Sequence, residues 1–141
     1  MMDTINLINT YFESLSSEKR DDMMILHRLI LSIKPDCRLW FLDGKNEEGK
    51  VVANPNVGYG QYTIRYADGS TKPFFQVGIS ANTAGISVYV MDLTIQVDLI
   101  ELFTEKIGKA KVTSYCIKFK SLKSINLDVI KEAILLGLSD S

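Results

Sequence analysis

An α+β domain, with helices covering one face of a mostly antiparallel sheet, is the fold class the sequence predicts. Three observations predict it: helical apolar spacing at both ends of the chain and again near residue 100, strict alternation through the middle, and turn signals between the alternating segments. The expected order is two helices, several strands, helix, strand, helix. That amounts to about five strands and four helices in a single domain over 1–141.

Ile5, Ile8, Phe12 and Leu15 recur at helical spacing, and Asp3 or Thr4 can cap the free amides ahead of them. Ser16 or Ser17 caps a second helix. Its first turn carries Glu18 at the positive end of the helix dipole, and its apolar face holds Met23, Leu26, Leu29, Ile30 and Ile33. Pro35 ends it.

The period then changes. Arg38 to Leu42 is aromatic and aliphatic, and Tyr62, Ile64 and Tyr66 alternate with Thr63 and Arg65. Ala67-Asp68-Gly69-Ser70 supplies a turn, after which Phe75, Val77 and Ile79 alternate with Gln76, Gly78 and Ser80 as the expected hairpin partner. Asn82-Thr83-Ala84-Gly85 reverses the chain again into Ile86, Val88 and Val90. Between the first strand and the hairpin, Asp43 to Gly60 is polar and holds Gly44, Gly49, Pro55, Gly58 and Gly60. It is the longest irregular stretch expected, a candidate lid, shortened if Val51 to Ala53 forms a strand.

Helical spacing returns at Ile95, Leu99, Leu102, Phe103 and Ile107, with Thr94 as cap and Gly108 placed to close the helix in a left-handed conformation. A strand follows with Tyr115, Ile117 and Phe119 on one face and Ser114, Cys116, Lys118 and Lys120 on the other. Asn126 caps a last helix bearing Leu127, Ile130, Ile134 and Leu138.

Composition narrows the function classes. Of 141 residues 46% are hydrophobic and 23% charged, with Lys+Arg 16 against Asp+Glu 17, which excludes a disordered chain and a strongly basic protein. A domain of this length buries roughly 68% of the surface of its unfolded chain, enough for a core without staples. Apolar runs such as Leu39 to Leu42 and Val88 to Met91 are four residues long, far below the ~20 of a membrane-spanning helix. The first basic residue is Lys19, no secretory pattern opens the sequence, and there is no Asn-x-Ser/Thr site; a cytoplasmic location with free Cys37 and Cys116 is expected.

His27 is the sole histidine, so histidine-rich zinc sites are excluded, and a Ser-His-Asp or Cys-His mechanism would need His27 itself. Gly44-Lys45, Gly49-Lys50 and Gly108-Lys109 lack the rest of a Walker motif, so no cofactor is expected. Asp98, Glu101 and Glu105 would share a helix face, where they form either a solvated surface or a weak site for a hard cation. Lys106, Lys109, Lys111, Lys118, Lys120 and Lys123 fall in a stretch without acidic residues. Such a patch attracts phosphates, yet it has no arginine for bidentate contacts; solubilising surface is the plainer account, and a nucleic-acid partner is disfavoured. The remaining constellation is aromatic: Trp40, Phe41, Tyr59, Tyr62 and Tyr66 surround the glycine-rich stretch together with Arg38 and Arg65. Core packing explains strand aromatics in general, but Arg38, Trp40, Tyr59 and Arg65 are the candidate ligand-binding residues.

Several segments carry a family resemblance: Tyr11-Phe12-Glu13-Ser14-Leu15, Cys37 to Lys45, Asn54-Pro55-Asn56-Val57-Gly58-Tyr59-Gly60, Gly78 to Thr83, and Tyr115-Cys116-Ile117-Lys118-Phe119-Lys120-Ser121-Leu122 followed by Ile125-Asn126-Leu127-Asp128-Val129. Together they resemble the YdhG-like family of bacterial domains of unknown function, over nearly the whole chain. The resemblance implies a compact cytoplasmic α+β domain, some of whose relatives are labelled frataxin-like iron chaperones, and it implies no catalytic residues. The commoner family pattern has a Met-Pro-x-Tyr element after the first strand, where this chain has Phe41-Leu42-Asp43-Gly44. The leading expectation is a non-enzymatic binding domain for a small molecule or protein partner, with homo-oligomerisation left open. Iron handling and phosphate or nucleic-acid binding through Lys106 to Lys123 are the alternatives.

Overall fold

Six strands in the order β1-β2-β5-β6-β8-β7 form the main sheet, and every neighbouring pair is antiparallel. They are β1 (Leu39–Leu42), β2 (Asn56–Tyr59), β5 (Val77–Asn82), β6 (Gly85–Val90), β7 (Ala110–Val112) and β8 (Cys116–Phe119). A separate two-stranded ribbon is made of β3 (Tyr62–Arg65) and β4 (Thr71–Phe74). The computed structural model describes residues 3–82, 84–91 and 99–138. Among these, four α-helices occur: α1 (Thr4–Glu13), α2 (Ser17–Ile33), α3 (Leu99–Phe103) and α4 (Leu127–Leu138).

The helix ends follow local chemistry. The Asn6 amide donates to Asp3 Oδ1 over 2.9 Å to start α1, and the Asp128 amide donates to Asn126 Oδ1 over 3.0 Å ahead of α4. α2 stops two residues before Pro35. The expected Thr94 cap and Ile95 lie outside the described residues; Gly108 has the expected positive φ of 99° but does not close the helix, since α3 ends at Phe103 and Gly108 is bridged to Ile125.

One face of the sheet makes the core. Tyr59 pairs with Leu39 and Val77, Val57 with Phe41 and Ile79, and Val88 with Ile79 and Ile117, so these side chains leave the same face, toward α1, α2 and α4. Met23, Leu26 and Ile30 of α2 and Ile130 and Ile134 of α4 are fully buried against them. The outer face carries Trp40, Gly58, Gly78, Tyr89 and Cys116 in one cross-strand row, and Ser80, Ser87, Lys118 and Lys111 in the next.

Several expectations are corrected. The sheet has six strands, not about five. Asp43 to Gly60 is no irregular lid: residues 56–59 are β2, inside the sheet, and Lys45 and Val51 form an isolated bridge in the hairpin before it. The partner of Tyr62–Arg65 is Thr71–Phe74 rather than Phe75 to Ile79, because Asp68-Gly69 closes a tight turn in which the Tyr66 amide donates to the Ser70 carbonyl over 3.0 Å. Pro73 is tolerated there because both strands of a two-stranded ribbon are edges.

Candidate functional site

The outer face is divided by one side chain. Phe75, in the link from β4 to β5, lays its ring over Gly58 and Gly78, where an added Cβ would approach ring atoms to 2.6 Å at either position. Phe74 packs on it at 4.1 Å between ring centroids, and Trp40 meets Phe74 edge-on at 6.3 Å. The half of the face beyond Tyr89 is left open.

That open half is the candidate site. A cleft of about 530 Å³ is lined by Lys109, Lys111, Lys118 and Lys120 together with Asn54, Asn82, Ser87 and Tyr89, and among the described residues no carboxylate lines it. Lys118 stands opposite Lys111 on one side and Ser87 on the other, which fixes the row Lys111-Lys118-Ser87 across three strands. Like charges placed directly opposite destabilise a sheet. Tyr115, half exposed, lies nearly parallel to Tyr89 at 6.4 Å, and Tyr89 is one of the residues lining the cleft. The boundary on the other side is mixed in charge: Lys120 also borders a second cleft of about 340 Å³ that contains Glu18 and Asp22 together with Lys19.

Four of the six lysines singled out in sequence therefore meet on one surface. Lys106 lines a different, apolar groove between α3 and α4, and Lys123 lies on the short 3-10 turn Leu122–Ser124. Sequence reasoning missed that Lys111 belongs to a strand, β7, with Lys109 just ahead of it; period two between them was the available signal. It also missed Tyr89, Ser87, Asn54 and Asn82, whose convergence depends on strand order.

The aromatic candidates separate. Arg38 and Trp40 are brought together, the guanidinium carbon sitting 4.0 Å above the indole, and both are held by other bonds. Trp40 Nε1 donates to the Gly60 carbonyl over 2.7 Å, and an Arg38 terminal nitrogen donates to Gln61 Oε1 over 2.6 Å. Tyr59 is not beside them. It points to the opposite face, fully buried, with its hydroxyl 2.7 Å from His27 Nδ1. Burial pushes the Tyr59 hydroxyl well above its ordinary value, so it remains a phenol, and the imidazole tautomer decides which of the two groups donates in this bond. Arg65 is exposed on β3 opposite Thr71, outside the Arg38-Trp40 stack.

No family model matches the chain, and no curated protein or solved structure matches it at a significant level. The chemistry of the surface has to speak for itself.

For metal the residues offer little. Asp98 lies outside the described residues, Glu101 is exposed on α3, and Glu105 follows the end of that helix, so the expected shared helical face does not reach it. Among the described residues no group of three or more His, Cys, Asp or Glu side chains gathers. Cys116 is buried on the outer face beside Lys118; burial raises its pKa and the lysine opposes that in part. Cys37 is half-buried and raised for the same first reason, so both are poor nucleophiles. None of the described helices is long and apolar enough to cross a membrane.

Proposed function

We propose that this is a non-enzymatic, cytoplasmic binding domain whose ligand carries phosphate or comparable anionic groups and seats on the outer face between β6, β8 and β7. The observation that carries this reading is the Lys111-Lys118 register pair inside a cleft lined by four lysines and, among the described residues, no carboxylate. Such an arrangement costs stability in the empty protein and is repaid when an anion enters. Ser87, Asn54 and Asn82 add neutral hydrogen-bonding groups that can orient oxygen atoms without cancelling the charge.

Binding is favoured over catalysis by where the reactive groups stand. His27 is tied to Tyr59 on the helix side of the sheet, so the general base most often used near neutral pH is remote from the cleft. The YdhG-like resemblance belongs to this reading as its finer part; an α+β architecture is what that resemblance implies, and it supports it to that extent. Iron handling has no supporting cluster among the described residues.

Calorimetric titration with inorganic tripolyphosphate tests the proposal. Saturable heat is expected from the native protein, and its loss from a Lys111→Gln, Lys118→Gln variant that still unfolds cooperatively. Equal binding by the variant would refute the placement.

A further inference from the structure

The anion-binding reading leaves the ligand class open, and the arrangement along the strands narrows it. Along β8 and the residue just past it the outward positions follow in steps of two, Cys116, Lys118 and Lys120; on the neighbouring segment they are Lys111 of β7 and Lys109 just ahead of it. Two residues of strand advance about 6.8 Å. Moving in that direction from Tyr89 and Tyr115, a ligand meets first an aromatic pair, then Lys118 with Lys111, then Lys120 with Lys109. Positive charge is thus spaced along a line that begins at a stacking surface.

A compact anion would use only one point on that line. A closed pocket would be expected for it, with donors converging from several sides. Here the cleft is an open trough on a sheet face; Tyr89 lines it, and the half-exposed Tyr115 lies against Tyr89. Lysine without arginine suits a chain of phosphates that needs charge rather than bidentate geometry. Tyrosine faces suit unpaired bases, which stack on aromatic rings with little regard to sequence.

We infer that the ligand of this face is single-stranded nucleic acid, with its phosphates passing over Lys118 and Lys111 toward Lys120 and Lys109 and a base stacked at Tyr89 and Tyr115. The inference rests on the anion-binding reading and goes beyond it by adding a base contact. The sequence alone disfavours it because arginine is missing and solubilising surface is the plainer account of the lysines; the fold gathers four of them beside Tyr89, against which Tyr115 packs.

Fluorescence anisotropy of a labelled oligothymidylate, titrated with the full chain at rising sodium chloride, is the test, with unlabelled tripolyphosphate as competitor. Four lysine contacts predict that log K falls against log salt with a slope no steeper than about −2.8, from roughly 0.7 per phosphate neutralised on a single strand. Tyr115→Leu, at an exposed position where folding is little affected, should weaken the oligonucleotide about five-fold or more while leaving tripolyphosphate affinity unchanged. Tyr89→Leu should act in the same direction, and circular dichroism confirms that each variant is folded. If tripolyphosphate binds but the oligonucleotide binds no better and neither tyrosine variant alters it, the anion site stands and the nucleic-acid inference fails. If neither ligand binds at low salt, both fail.

Discussion

Gly58 and Gly78 face each other across the β2–β5 pair, and the ring of Phe75 fills the space their missing side chains leave. This contact anchors the segment that returns from the β3–β4 ribbon and divides the outer face into an aromatic half and an open, lysine-lined half. Alanine at either glycine would place Cβ 2.6 Å from ring atoms of a side chain that is itself buried. Overpacking of this kind costs about 1–3 kcal/mol. Urea unfolding of Gly58→Ala and Gly78→Ala should show that loss, and adding Phe75→Leu should recover part of it for each. Full stability in either single variant would mean that Phe75 is not held there.

Trp40 is a structural residue in this arrangement, because its indole N–H is spent on the Gly60 carbonyl. Trp40→Phe keeps the ring and removes the donor. Leaving a carbonyl short of a partner costs about 1–3 kcal/mol when water cannot replace the bond. Chemical denaturation followed by far-ultraviolet circular dichroism measures it; no change at all would show that water takes over.

His27 makes stability pH-dependent. Burial first, and the neighbouring Arg28 second, hold its pKa below the ordinary 6.5. The unfolded chain therefore binds the proton more strongly than the folded protein does, and stability rises with pH across this window. The contribution is complete above about 6.5 and is lost as the pH falls below that toward the depressed folded value. The groups in contact are Tyr59, whose hydroxyl is bonded to it, and Phe12, which meets it edge-on. Thermal unfolding should give a lower midpoint in mild acid than at neutrality, and His27→Gln should flatten the difference. An unchanged profile in that variant would assign the pH dependence elsewhere.

Both cysteines are free, Cys116 buried and Cys37 half-buried, each with a pKa raised by burial. Thiol titration in denaturant without reductant should find two groups per chain, and the native protein should react slowly. Finding none in denaturant would mean a bridge has formed.

The helices were legible because their signals are local: Asp3 and Asn126 cap, Pro35 stops, and Ile8, Phe12, Leu26 and Ile30 repeat at helical spacing. The strand at Leu39 was legible from its aromatic and aliphatic run, and those at Val77, Ile86 and Ile117 from alternation and β-branched content. β2 was not. Asn54-Pro55-Asn56-Val57-Gly58-Tyr59-Gly60 has the composition of a loop, and Gly58 belongs in a strand only because Phe75, seventeen positions later in the chain, packs where its side chain would be. The same long-range cause separated Tyr59 from Trp40, neighbours in an expected pocket that turn out to leave opposite faces of the sheet. The lysine run was visible, but its meaning depended on β7 pairing with β8, which turns scattered charges into facing ones.

Lys118→Glu tests the account's central claim most directly, by measuring stability and tripolyphosphate affinity on the same protein. Replacing one member of a facing lysine pair with a carboxylate turns repulsion into attraction, so the variant should gain about 0.2–1 kcal/mol at low salt, with the gain shrinking as salt is added. Calorimetry should at the same time show the binding seen with the native chain to be abolished. A variant that is less stable than the native protein, or that still binds tripolyphosphate with undiminished affinity, would contradict the claim that this lysine face exists to hold an anion.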